Sequence, residues 1–196
     1  MITYDSPQGS DAWKREKAGH FSGSKANDLL MKSSTAGHQN LIYQIAYERM
    51  TGEPIETYQN QAMKDGVENE PIARESYELE TYNKVHQVGF MEINSWIGVS
   101  LDGIIGEDGI IEIKCPQWNT QMSYLESQEV PKNYYNQMQF QLYVSGRKWA
   151  DFYSWHSKLP PFLKRVERDE EKIKEIQDAI FKSIKEVEVI INKLKG

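Results

Sequence analysis

The strongest constraint on this chain is a pair of near-continuous apolar runs joined by a turn. Ile104 and Ile105 lead into Gly106-Glu107-Asp108-Gly109, and Ile110, Ile111 and Ile113 follow. Asp-Gly between β-branched runs is a hairpin signal, and strands apolar on both sides belong in a sheet covered on both faces. Three charged residues nevertheless stand in or beside these strands. Asp102 precedes the first, and Glu112 and Lys114 lie two apart in the second, so they share one face while Ile111 and Ile113 turn toward the core. The turn brings Asp102 back beside them. Taken as a site, two carboxylates and an ammonium make a hard-oxygen position for Mg²⁺ or Mn²⁺ with a cation beside it to hold a water, the chemistry of phosphodiester hydrolysis. Taken as scaffold, Asp102 is a turn residue and Glu112 and Lys114 are a surface ion pair. The apolar surroundings favour the site, because charge inside a covered sheet needs partners or a metal.

A length of 196 residues suits one substantial core, so a single domain over 1–196 is expected: N-terminal helices in 10–82, a catalytic sheet with helices in 85–168, and a C-terminal helix in 169–195. There is no run of 18 apolar residues, and Met1 to Asp11 is polar, so neither a membrane span nor a secretory signal is expected. One cysteine, Cys115, rules out an intramolecular disulfide and suits a reducing cytoplasm. With no histidine near it in sequence, Cys115 reads as a small buried thiol and not a nucleophile. The net charge of −6, from 23 basic and 29 acidic residues, argues only weakly against a nucleic-acid ligand, because a nuclease needs acids at its centre and can confine its cations to one groove. Lys14, Arg15, Lys17, Lys25 and Lys32 form the one locally basic region before the hairpin.

The pattern predicts helices over 11–17, from Ser22-Gly23-Ser24 through Leu30, and over 38–51 and 60–82, with Pro71 marking a kink or a new start near Glu70. Strands are predicted at 85–91 and 96–114, helices at 117–127 and 131–145, strands at 149–156 and 162–168, and a last helix from Asp169. In that helix Ile173, Ile176, Ile180, Ile184, Val187, Ile191 and Leu194 recur every three or four residues as a packing stripe. The sum is an α/β fold with a mixed central sheet flanked by helices. The Ser22-Gly23-Ser24 turn reads either as ordinary helix capping or as an anion site of hydroxyls and backbone N–H groups.

Five motifs occur in the order found in the PD-(D/E)XK nucleases, and the chain resembles most closely the phage lambda-type exonucleases, also called YqaJ-like viral recombinases. They are Trp13 through Ser24, Gly66 through Tyr77, Ser100 to Gly103, Glu112 to Pro116, and Gln137 to Tyr143. The resemblance implies a restriction-endonuclease-like core. It implies that Asp102, Glu112, the Ile113 carbonyl and Glu70 hold two Mg²⁺ ions (or Mn²⁺), with Lys114 orienting the attacking water. It places Gln139 and Tyr143, four apart on one helix face, in the active site, with Gln137 as the competing glutamine. Lys17, Ser24 and Ser100 align with residues that grip the DNA 5′-phosphate, with Arg15 as the alternative cation, and Met63 with an apolar wedge, although a helical methionine is commonly core. The implied activity is 5′-to-3′ digestion of linear double-stranded DNA with a free 5′ end. It would leave 3′ single-stranded tails for a single-strand annealing protein, be carried out by a homotrimer, and take place in the cytoplasm of a bacterial host of phage or prophage genes. A restriction-type or repair endonuclease of the same superfamily is the alternative, followed by a non-catalytic DNA-binding module.

Overall fold

The computed structural model describes residues 1–56 and 61–196, and the side chains of 62 and 63 lie outside that description. A two-residue strand, β1 (Ile2–Thr3), precedes α1 (Asp11–Lys17), whose N-terminus is capped by the Ser10 hydroxyl accepting from the Trp13 N–H at 3.2 Å. A single 3₁₀ turn (Gly23–Lys25) opens α2 (Ala26–Leu30), and α3 (Ala36–Thr51) ends at Gly52 in the left-handed conformation. Next, α4 (Gln61–Thr81) is one helix of 21 residues running through Pro71, so the expected new start at Glu70 does not occur.

Strands β2 (Val85–His86), β3 (Phe90–Asn94), β4 (Ile97–Ser100), β5 (Gly103–Ile105) and β6 (Gly109–Lys114) follow, then α5 (Trp118–Ser127), α6 (Lys132–Ser145), β7 (Trp149–His156), β8 (Leu159–Glu167) and α7 (Glu170–Lys195). These strands make two sheets. One has the order β1-β3-β4 and the other β2-β5-β6-β7-β8, mixed because β6 and β7 run parallel while the other neighbours are antiparallel. The expected strand over 96–114 is therefore cut at Leu101 and Asp102, where the chain leaves the first sheet and enters the second.

β6 is covered on both faces, as its apolar run requires. Ile110 faces a large core that includes Phe140 and Leu142 of α6 and the inner stripe of α7, Ile176, Ile180 and Val187. Ile111 and Ile113 face a smaller core of Ala73 and Tyr77 from α4 with Tyr153 of β7. The α7 stripe holds as far as Val187, while Leu194 is exposed. In the β5–β6 hairpin it is Gly106, not Gly109, that takes the positive φ (51°). Gly109 serves a different need. A β-carbon there would lie 2.2 Å from the Trp149 ring, which is sandwiched beyond by the Arg165 guanidinium 3.5 Å from its centroid. Gly109→Ala should therefore force this stack apart and lower stability by about 1–3 kcal/mol, seen as a lower urea midpoint, whereas Gly146→Ala, with open space around it, should cost only its left-handed backbone.

Candidate active site

Glu112 projects from the face of β6 that carries Ile110, toward α6, and is only 1% exposed. A carboxylate so enclosed needs every lone pair answered. The Gln137 amide donates to its Oε1 at 2.6 Å and the Gln141 amide to its Oε2 at 2.7 Å. Lys114, two residues on and on the same face, forms an ion pair with it and stands 5.3 Å from the centroid of the Tyr134 ring. Burial alone would lower the proton affinity of Lys114, but the Glu112 and Asp102 carboxylates outweigh it and hold the ammonium above its ordinary range.

Asp102 stands at the crossing between the sheets. Because β5 begins only at Gly103, the Ile113 N–H has no backbone partner there, and it donates instead to Asp102 Oδ2 at 2.7 Å. In an extended strand the N–H and C=O of one residue point to the same edge, so the Ile113 carbonyl faces Asp102 as well. Desolvation pushes the Asp102 carboxyl well above the usual carboxylate range, with the charges of Glu112 and Glu70 adding to it. Glu70 reaches this region from α4, on the other side of the sheet, and is ion-paired with Arg74 one helical turn away. Among the described residues no three acidic, histidine or cysteine side chains converge closely enough to enclose an ion. The donor set nonetheless fits a hard divalent cation. Asp102, Glu112, Glu70 and a strand carbonyl are all oxygens, and such a cation would offset both the burial and the added repulsion that raise Asp102. Beside them, burial pushes the Cys115 thiol up to about 11, which keeps it protonated and un-nucleophilic at neutral pH.

Two of the expected residues lie elsewhere. Gln139 is buried with its amide donating to the Glu167 carbonyl at 2.8 Å and its oxygen accepting from the Asp169 N–H at 2.9 Å, so it ties α6 to the junction of β8 and α7. Tyr143 packs against the large core beside Phe140. The face of α6 that meets Glu112 instead carries Tyr134, Gln137 and Gln141. Gln139 with Tyr143 and Gln137 with Gln141 both obey a four-residue spacing, so periodicity cannot choose between the pairs; the competing Gln137 is the one beside Glu112, and Gln141 was not anticipated.

Along α1, the Trp13 indole N–H donates to the Ser100 hydroxyl at 2.8 Å, and the Lys17 ammonium sits 4.8 Å from the Trp13 ring centroid. Burial, and then the neighbouring Lys25, lower the proton affinity of Lys17. Ser22 and Ser24 stand with hydroxyls 3.4 Å apart. Arg15, about 200° around α1 from Lys17, is exposed. Lys17, Ser100 and the serine turn thus share a region to which Trp13 and Lys25 also belong. Met63, the expected wedge, has its side chain outside the described residues.

The profile of the YqaJ-like viral recombinase domain matches residues 12–148. Among solved structures, the alkaline exonuclease LHK-Exo from Laribacter hongkongensis is 34% identical, with 95% of this chain and 96% of that one covered and a TM-score of 0.88. LHK-Exo in complex with dAMP matches equally well, at 33% identity and a TM-score of 0.88. A phage-related exonuclease from Haemophilus somnus 129PT, 14% identical with 89% and 96% of the two chains covered and a TM-score of 0.71, shares the fold. No curated protein sequence matches significantly.

The raised Asp102 carboxyl makes a prediction about the metal-free protein. A carboxyl whose pKa is higher folded than unfolded weakens the fold once pH passes its unfolded value of about 3.9, and most above its folded value. Asp102→Asn keeps an oxygen to accept from the Ile113 N–H but carries no charge. In chelator-treated protein it should melt at a higher temperature than wild type, by a margin that grows as pH rises from about 4. A constant or negative margin would mean that Asp102 is not strained by its neighbours.

Proposed function

Because this chain belongs to the YqaJ-like viral recombinase domain family, within the PD-(D/E)XK nucleases, we propose that it is a Mg²⁺-dependent exonuclease digesting one strand of linear duplex DNA from a 5′ end. The observation that carries this reading is Glu112, a buried carboxylate answered by two amides and the Lys114 ammonium beside Asp102. Asp102, Glu112, Glu70 and the Ile113 carbonyl would hold the divalent ions, two of them with Mg²⁺ or Mn²⁺ in either place. Such ions supply Lewis-acid neutralisation of the phosphodiester charge. The protein's own groups do the rest. Lys114 hydrogen-bonds the attacking water and stabilises the charge that grows on it as it approaches phosphorus in line with the departing 3′ oxygen. Gln137 and Gln141 fix Glu112 so that its oxygens do not reorient during the reaction. Breaking the P–O3′ bond releases a mononucleotide and leaves a new 5′-phosphate on the chain, which Lys17, Ser24 and Ser100 receive again with help from Trp13. Arg15 is the weaker candidate for that role, being exposed on another side of α1. The 3′ tail so produced would serve a single-strand annealing protein in the cytoplasm of a bacterial host.

With Mg²⁺ present, linear 5′-phosphorylated duplex should be degraded to mononucleotides while a covalently closed circle stays intact; cleavage of the circle would make the enzyme an endonuclease of the same superfamily. Lys114→Ala should cut the rate by about 10²–10³-fold with circular dichroism unchanged. Near-normal activity in Glu112→Ala would refute the assignment of the centre, and no hydrolysis by wild type with any divalent metal would leave the binding module.

A chain of net charge −6 has few cations with which to hold a duplex. Three copies about an axis would pool Lys14, Arg15, Lys17, Lys25 and Lys32 into one channel. Light scattering should then give about three times the monomer mass without DNA, and duplex affinity should fall steeply with salt. A monomer that digests processively would exclude the ring.

A further inference from the structure

The middle residue of the serine turn, Gly23, faces the two glutamines that hold the catalytic carboxylate. Gly23 is buried, and a β-carbon built on it would lie 3.2 Å from Gln141 Cγ, 3.3 Å from the Gln137 carbonyl oxygen and 3.5 Å from Gln137 Cγ. These are the two residues whose amides hold Glu112, one on each oxygen. Gln141 is enclosed, and its own amide oxygen has no hydrogen-bond partner among the described residues. Its single polar tie is therefore the bond to Glu112, and packing must supply the remainder of its orientation. The backbone of Gly23 is part of that packing.

Hydrogen bonds hold the turn on its other sides. The Phe21 N–H donates to the Trp96 carbonyl at 2.8 Å and the Phe21 carbonyl accepts from the Gly98 N–H at 3.1 Å, pinning the entry to β4. The Lys25 N–H closes the turn on the Ser22 carbonyl at 3.0 Å. Beyond it, Asn27 donates to the Asn133 carbonyl at 3.1 Å and accepts from the Asn136 amide at 2.9 Å, pinning the exit to α6. The turn is thus tied to β4 at its entry and to α6 at its exit, with Gln137 and Gln141 packed against its middle residue.

We propose that Gly23 is a positioning residue through which a terminal phosphomonoester bound at the serine turn sets the orientation of Glu112. This rests on the reading of Lys17, Ser24 and Ser100 as the 5′-phosphate pocket. The terminal phosphate then raises the rate of the chemical step as well as affinity. A β-carbon at residue 23 makes Gln141 and the Gln137 carbonyl shift by a few tenths of an ångström and so disturbs that link, and removing the Gln141 donor breaks it at the next point.

The test follows the first nucleotide released, since every later end carries a 5′-phosphate whatever the starting end. Single-turnover reactions on 5′-phosphorylated and 5′-hydroxyl duplexes give the maximal rate and the half-saturating enzyme concentration for wild type, Gly23→Ala and Gln141→Leu, with melting curves to verify folding. In wild type the phosphate should raise the maximal rate several-fold and also lower the half-saturating concentration. In both variants the effect on concentration should survive and the effect on rate should vanish. A rate effect that persists in either folded variant overturns the coupling, as does a wild-type phosphate effect confined to the half-saturating concentration. No phosphate effect of either kind in wild type overturns the pocket and the coupling together.

Discussion

A carboxylate inside a sheet is the interaction on which the rest of this molecule depends. Glu112 occupies a position of β6 where its neighbours in both directions are isoleucines, and an unpaired charge there would cost several kcal/mol (about 3–5 for a broken buried pair). The fold answers with an ammonium from the same strand and two amides from α6. A helix must therefore lie across this part of the sheet, in one rotation about its axis, so the polarity of a single side chain dictates how the two layers are joined. Breaking any one of those bonds leaves a buried charge only partly answered.

The second determinant is where the chain changes sheets. Ser100 ends β4 of the three-stranded sheet, Gly103 begins β5 of the five-stranded one, and the two residues between them include Asp102. Because β5 begins two residues short of the position opposite Ile113, the Ile113 N–H is left to a side chain, and the Asp102 carboxylate takes it. The same crossing puts Ser100 within reach of Trp13. Candidate metal ligand and candidate phosphate contact are thus two residues apart because one structural break serves both.

Much of this was legible in the sequence, and the failures have physical causes. The Asp102, Glu112, Lys114 grouping followed from the strand period and the hairpin, since a period of two leaves one choice of face. The packing stripe of α7 followed from helical periodicity. Gln139 and Tyr143 did not hold, because α6 is apolar or amide-bearing nearly all round and satisfies a four-residue spacing on opposite sides; only the tertiary partners, Glu112 on one side and Glu167 with Asp169 on the other, tell the sides apart. The split into two sheets was hidden because Val99 and Leu101 continue the apolar pattern through the break, with no glycine or proline until Gly103. The turn between β5 and β6 contains two glycines with different roles: one supplies the backbone conformation, the other the absence of a side chain under Trp149. Pro71 stands in a helix that tertiary packing carries through it.

The tie between Gln139 and the start of α7 has a consequence during synthesis. The hairpin bearing Asp102 and Glu112 can form from local sequence, but Glu112 is held by α6, and α6 is itself anchored on the Glu167 carbonyl and the Asp169 N–H. A ribosome-bound chain that ends before these residues carries every acidic side chain of the centre without the arrangement that makes them act together. The centre is in this way the last part of the molecule to be completed, because its carboxylates are translated well before the junction that fixes the helix holding one of them.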